Sequence, residues 1–259
     1  MRAFWRCFLA ICLLSALPAR AESPEPNGLI AATEEWPPFQ LTDTNGAAAG
    51  MNVDMVRAIL VQAGLSAQIK VYPWARTLFL GEHRPNTLIF SLSRSKEREN
   101  GFLWIGELMR RNDWFYRATG HDSVSPGSLD EVKSCCAVCV ERKDIVEDDL
   151  QRLGFQPGRQ YITAESFADC MRLVQKGALP LLVNSPQGLS WAMKQHHDVQ
   201  AGFQAVIPLP SAAQEPLYLA ASIGTPPATV ARLRAAFQTL QLNGTLEQIR
   251  RQFSERTKP

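Results

Sequence analysis

The residues best equipped for chemistry are four cysteines, a charged run and a few tryptophans. Cys136-Ala137-Val138-Cys139 has the spacing of half a zinc site, and His196-His197-Asp198 is a second group of potential ligands. Zinc sites generally pair two such spacings, and the second is missing. Residues three apart on a strand also face opposite sides. Disulfides are the expected fate of the cysteines, with no metal and no cofactor. The four histidines (His83, His121, His196, His197) show no nucleophile–base spacing. No G-x-S-x-G, H-E-x-x-H or glycine-rich phosphate loop is present. The run Arg94-Ser95-Lys96-Glu97-Arg98-Glu99 is either a solvated surface or a place where a guanidinium forks onto an anion. Trp36 and Trp74 are candidates for the aromatic wall of a pocket.

The ends of the chain speak to compartment. Arg2 and Arg6 precede an apolar stretch, Phe8 to Leu17, too short to span a bilayer. Ala19-Arg20-Ala21 forms an A-x-A cleavage site, which predicts a signal peptide over 1–21 and a mature start near Glu22. Cys12 follows Ile11, where a lipoprotein signal needs a small residue, so a soluble secreted chain is expected. Of the 27 basic residues, Arg2, Arg6 and Arg20 leave with the signal, so 24 face 25 acidic ones and the precursor's net +2 becomes −1. That balance argues against nucleic acid or a membrane surface as partner. Cys135, Cys136, Cys139 and Cys170 stay with the mature chain, in a compartment where disulfides persist.

Strand and helix patterns then alternate. Strands are expected at Leu29–Thr33, Gln68–Tyr72, Thr87–Ser93, Ala137–Val140, Tyr161–Thr163, Leu181–Asn184 and Leu217–Ser222. Helices are expected at Asn52–Ala63, Trp74–Leu80, Asp144–Leu153 with Asp144 as cap, and Glu165–Lys176 with Cys170 on its inner face. Two helices close the chain, the first capped by Thr225 and ended by Asn243-Gly244, the second opened by a Thr245/Gln248 capping box. Single helices between strands imply mostly parallel sheets covered on both faces, an α/β fold of two lobes with a cleft between them. If the Glu165–Lys176 helix packs over its sheet, Cys170 and Cys139 lie at similar depth, and a disulfide between them is expected. Cys135 would share the strand face of Cys139 and is the alternative.

Several fragments in order, Glu35-Trp36-Pro37-Pro38-Phe39, Gly50-Met51-Asn52-Val53-Asp54-Met55, Leu88 to Ser93 running on to Arg98, and Tyr218-Leu219-Ala220 before Gly224-Thr225-Pro226, resemble the bacterial extracellular solute-binding proteins of family three. Pro73-Trp74-Ala75-Arg76 points to one branch of that family. The resemblance implies the type II periplasmic binding fold. Lobe one would comprise 27–115 plus 215–259 and lobe two 116–214, with crossings near Trp114–Arg117 and Gln214–Pro216 acting as a hinge. It implies a periplasmic monomer that captures a small polar, carboxylate-bearing molecule, an amino acid or related organic acid, for the permease of an ABC transporter and performs no chemistry. A sensor accessory of the same fold is the alternative. A cyclohexadienyl-dehydratase-like enzyme ranks below both, and Glu34, Glu35 or Glu141 would have to serve as its acid or base.

The resemblance also assigns contacts. Arg98 would fork onto the ligand carboxylate, Ser91 and Ser93 would offer strand-end hydroxyls, Trp36 would cover the ligand, and Trp74 and Arg76 would face the cleft. Lobe two departs from the family pattern. Val140-Glu141-Arg142-Lys143 stands where amino-acid binders carry a Gly-Thr or Gly-Ser turn, and Ser185 stands where they carry the aspartate that meets the ligand's ammonium. Arg142 and Ser185 are therefore the candidate contacts from that lobe. Without the aspartate, a ligand lacking an ammonium group is expected, because a buried ammonium without counter-charge is costly; a standard α-amino acid is the alternative, with Glu34 or Glu35 supplying the charge from the other lobe.

Overall fold

The computed structural model describes residues 28–120, 124–142, 144–199, 202–210 and 215–256. The signal-peptide segment, Lys143 and Gln214 lie outside them. Two five-stranded sheets form the frame. The first contains β1 (Ile30–Thr33), β4 (Gln68–Val71), β5 (Thr87–Ser93), β6 (Phe102–Arg110) and β12 (Pro216–Ser222), in the order β4-β1-β5-β12-β6. The second contains β7 (Trp114–Ala118), β8 (Val138–Glu141), β9 (Tyr161–Ala164), β10 (Leu181–Asn184) and β11 (Phe203–Pro208), in the order β11-β7-β10-β8-β9. In each sheet one strand runs against the other four: β12 in the first, β7 in the second. Each is the first strand laid down after the chain changes sheets. A small hairpin pairs β2 (Leu41–Thr42) with β3 (Ala48–Ala49).

The change of sheet falls at Arg111–Asp113, earlier than the sequence suggests. Trp114 to Arg117 are already strand β7, whose backbone is held by β10 and β11. The return runs from Leu209 to Glu215, and the two passages are tied together: Leu209 N–H donates to Asp113 O at 2.8 Å and Arg111 N–H to Glu215 O at 3.2 Å.

Helices cover both faces of each sheet. On the first, α1 (Met51–Gln62), α7 (Pro227–Leu242) and α8 (Thr245–Arg256) bury one face with Leu88 and Phe90, and α2 (Trp74–His83) lies over the other with Ile89 and Leu92. On the second, α3 (Leu129–Cys135) and α4 (Ile145–Arg152) share a core with Val138 and Val140, while α5 (Phe167–Gln175) and α6 (Pro186–Gln195) pack around Cys139 and Leu182. No helix among the described residues is long and apolar enough to cross a membrane.

Local chemistry explains the helix ends, with two corrections. Asp144 caps α4 by accepting Val146 N–H at 2.7 Å, as its sequence position suggests. Pro226, not Thr225, caps α7; the buried Thr225 hydroxyl lies 3.0 Å from Ser222 Oγ. Thr245 is the first residue of α8, and Asn243 Oδ1 accepts its N–H at 3.0 Å, so no capping box forms. At the start of α1, Gly50 has φ 111°, and a Cβ there would come within 2.5 Å of Phe39 O. Only glycine lets α1 begin against the Trp36–Phe39 turn.

Cys139 and Cys170, both fully buried, are joined by a disulfide with Cα atoms 5.3 Å apart, which fastens α5 to β8. Cys135 ends α3 instead of sharing the strand, and is bonded to its neighbour Cys136. The two halves of the apparent zinc spacing therefore belong to different disulfides. Replacing both Cys139 and Cys170 by alanine should lower stability by about 3–4 kcal/mol on the chain-entropy account. Urea unfolding under oxidising conditions measures it, and a loss below about 1 kcal/mol would show that the cross-link restrains the unfolded chain little.

Candidate functional site

Between the sheets lies a cleft of two adjoining cavities. The larger, about 550 Å³, is lined from the first sheet by Glu34, Trp36, Trp74, Ser91, Ser93 and Arg98, from the second by Glu141, Arg142, Asp144 and Arg152, and at the hinge by Arg111 and Glu215. The smaller, about 360 Å³, shares Glu35, Trp36, Glu141, Asp144 and Ile145 with it and reaches Asn184, Trp191 and His196. These volumes suit small molecules.

Arg98 sits just past the end of β5. Its Nη1 donates to Ser93 Oγ at 2.8 Å, and its guanidinium lies 5.7 Å from the centre of the Trp74 ring. Among the described residues it makes no ion pair, so a charged fork stands at the cleft wall, pre-oriented by a hydroxyl and an aromatic face. Trp74 is placed by Pro73, which starts α2. Trp36 is held by a tight turn in which its N–H donates to Gln40 O at 2.8 Å, and its ring packs 4.6 Å from Phe39.

Ser91 reaches the cleft differently. It has φ 62° and is skipped in the pairing of β5 with β12, which passes from Phe90↔Leu219 to Leu92↔Tyr218. This bulge turns its hydroxyl into a buried network, donating to Gln40 Oε1 at 3.0 Å and accepting from Asn52 Nδ2 at 3.0 Å. The Ser91 side chain thus anchors the strand end to the Trp36 turn and to α1.

The other expected contacts divide. Arg142 lines the larger cavity, though its Nη1 pairs with Glu165 at 2.8 Å. Arg76 is absent from both cavities; its guanidinium stacks 4.4 Å over the Tyr72 ring on an exposed face of α2. Ser185 is buried as the cap of α6, accepting Gly188 N–H at 3.0 Å, because Pro186 starts that helix there. The structure thus gathers Trp36, Trp74, Ser91, Ser93, Arg98 and Arg142 and leaves Arg76 and Ser185 aside.

Sequence reasoning missed the hinge cluster. Arg111, 1 % exposed, pairs with Asp113 at 2.7 Å and Asp149 of α4 at 2.8 Å, and lies 3.6 Å from Glu215. One guanidinium thereby joins both passages to a helix of the second sheet. Burial pushes the Asp113 carboxyl up, and the Arg111 charge opposes the shift. The carboxylates nearest the ligand space are also perturbed. Burial, with help from the Asp144 charge, pushes Glu34 up to about 7 while Arg98 pulls it down. Burial pushes Asp144 up to about 6 against the hydrogen bond from Val146. Burial also raises Glu141, whose Oε2 accepts Phe167 N–H at 3.1 Å.

A two-sheet frame with a double passage and a polar, aromatic-walled cleft has known relatives. A Chlamydia trachomatis serovar D protein described as "Probable ABC transporter arginine-binding protein ArtJ" is 25% identical over 256 residues, covering 95% of this chain and 94% of that one. Among solved structures, a histidine kinase sensor domain with similarity to periplasmic binding proteins superposes with a TM-score of 0.70 at 18% identity, over 87% of this chain and 95% of that chain. An ancestral arginine-binding protein bound to arginine gives 0.68 at 18% identity, over 88% and 98%. Residues 29–256 match the bacterial extracellular solute-binding proteins, family 3, and the chain belongs to that family.

Proposed function

We propose that this chain is a monomeric periplasmic receptor that closes around a small carboxylate-bearing solute, an amino acid or related organic acid, and presents it to the permease of an ABC transporter. The observation that carries this is Arg98: a guanidinium without an ion-pair partner among the described residues, oriented by Ser93 and Trp74, on the wall of a cleft that a single chain lines from both sides. A planar fork of this kind holds a carboxylate through two charge-assisted hydrogen bonds. The paired passages at Arg111–Asp113 and Leu209–Glu215 are the natural hinge for closure. The arginine-binding description of the Chlamydia relative supports an amino acid as ligand.

A thermal-shift panel on ligand-stripped protein, comparing common amino acids with their deaminated acids, tests the reading. Stabilisation by a carboxylate-bearing member and no turnover of it is expected. Failure of every member, or conversion of a bound acid to product, would overturn it. The likeness to a kinase sensor domain favours one second reading, in which the closed form signals to a membrane sensor. Ligand-dependent stimulation of a reconstituted permease ATPase supports delivery, and its absence alongside ligand-dependent kinase activation supports sensing.

A further inference from the structure

Glu34 and Asp144 enter the larger cavity from opposite lobes: Glu34 directly after β1, Asp144 at the start of α4. Glu34 is half-buried and has no hydrogen bond or ion pair among the described residues. The other charges of the cleft are largely engaged. From the first lobe, Glu35 accepts Thr42 N–H at 3.0 Å, Arg98 is held on Ser93, and Glu97 lies at the rim. At the hinge, Arg111 is paired with Asp113 and Asp149 and lies near Glu215. From the second lobe, Glu141 accepts Phe167 N–H, Arg142 pairs with Glu165, Arg152 pairs with Asp149, and Asp148 completes the wall. His196 lines the smaller cavity. Among the described residues, every arginine of the larger cavity except Arg98 is thus already paired with a carboxylate, while Glu34 and Asp144 feel Arg98 and Arg111 only at a distance and form no ion pair.

We propose that Glu34 and Asp144 form a receptor for one positive charge on the ligand, and that capturing this charge expels the proton the pair holds when the cleft is empty. The proposal rests on the solute-receptor reading above and narrows the ligand to one that carries a cation as well as a carboxylate. The sequence, lacking an acid at Ser185, favours a ligand without an ammonium group and keeps an α-amino acid met by Glu34 or Glu35 as the alternative; the cavity, which sets Asp144 opposite Glu34, supports that alternative. Glu34 feels both Arg98 and Asp144, so a molecule whose carboxylate and ammonium are a few atoms apart can satisfy the arginine and the acids together. Two half-buried carboxylates line the one cavity from opposite lobes, the Asp144 charge works against ionisation of Glu34, and a proton relieves that repulsion. The bound cation does so instead, and the proton passes to water. The raised position of Glu34, at about 7, agrees with this geometry.

The sign follows by linkage. A proton that must leave on binding makes affinity fall as pH falls through the ligand-free value. With L-arginine as probe, calorimetry at pH 6 should give an affinity about tenfold weaker than at pH 8, with net proton release in buffers of different ionisation enthalpy. Glu34→Gln should flatten that profile, which His196 would not allow if it were the source. Carboxyl-detected NMR titration of ligand-free protein should place Glu34 well above the ordinary range. Asp144→Asn, which can still cap α4, should bring it down. A Glu34 that titrates as an ordinary carboxylate, or is unmoved by Asp144→Asn, overturns the proposal, as does a pH-independent affinity for L-arginine. Failure of L-arginine to bind at pH 8 with Glu34 titrating as expected counts instead against the choice of ligand.

Discussion

Arg111→Ala should lower the unfolding free energy by about 3–5 kcal/mol, the usual cost of removing one partner from a buried ion pair. The substitution leaves the buried Asp113 and Asp149 without their shared counter-charge; Asp149 is fully buried, and Arg152, itself exposed, becomes its only described cation. The loss should grow with pH. Burial already holds the Asp113 carboxyl above its ordinary value and Arg111 opposes that shift, so without Arg111 the cost of Asp113 is absent below its unfolded value and grows as pH rises from there to the folded one. Urea denaturation at pH 5 and pH 8 measures both effects. Replacing Arg111, Asp113 and Asp149 together by apolar residues should recover much of the stability while freeing the hinge from α4. A change below about 1 kcal/mol for Arg111→Ala would mean that the cluster is hydrated and serves only as surface charge.

For the binding reaction the largest effect is expected at Arg98. Arg98→Ala should weaken binding of the best ligand in the panel by about 3 kcal/mol, on the order of a hundredfold, because the ligand carboxylate then loses water without gaining a partner. Arg98→Lys should fall between, since a point charge keeps the attraction but loses the fork. Folding should be little affected: among the described residues the Arg98 side chain is bonded only to Ser93, and it lies beside Trp74. An affinity within about threefold of the parent would remove Arg98 from the site and with it the main support for a carboxylate ligand.

Much of this frame was legible because the strands are short apolar runs between clear breaks. Thr87–Ser93 and Leu181–Asn184 are strands over those very residues, and α1 and α4 end within a residue or two of their expected bounds. β6 was missed because Phe102–Arg110 does not alternate; its burial follows the curved pairing with β12, which is interrupted at Leu217/Tyr218 and Leu219/Ala220. The lobe-one side of the cleft was legible as a set of motif positions. Its geometry was not: Ser91 could not be known to sit in a bulge, because the strand whose pairing skips it lies more than a hundred positions away. The acids of lobe two were hidden for another reason. Asp144 reads in sequence as a helix cap, and it is one, but the same residue also faces the ligand space. Arg111, Asp113 and Asp149 look like ordinary surface charges until three separate segments converge.

The placing of β12 has a consequence for the order in which the molecule can be assembled. It is the last strand of the chain, yet it lies inside the first sheet, with β5 on one side and β6 on the other. While the chain is being made, β5 and β6 have no strand between them, and the backbone groups they will give to β12 remain unpaired. The second lobe, by contrast, is drawn from one continuous stretch between the two passages and holds all its strands before β12 exists. Such distant pairings form slowly. The lobe that carries Arg98 is therefore begun first and finished last, and the cleft has no complete wall until nearly the whole length of the chain has been delivered.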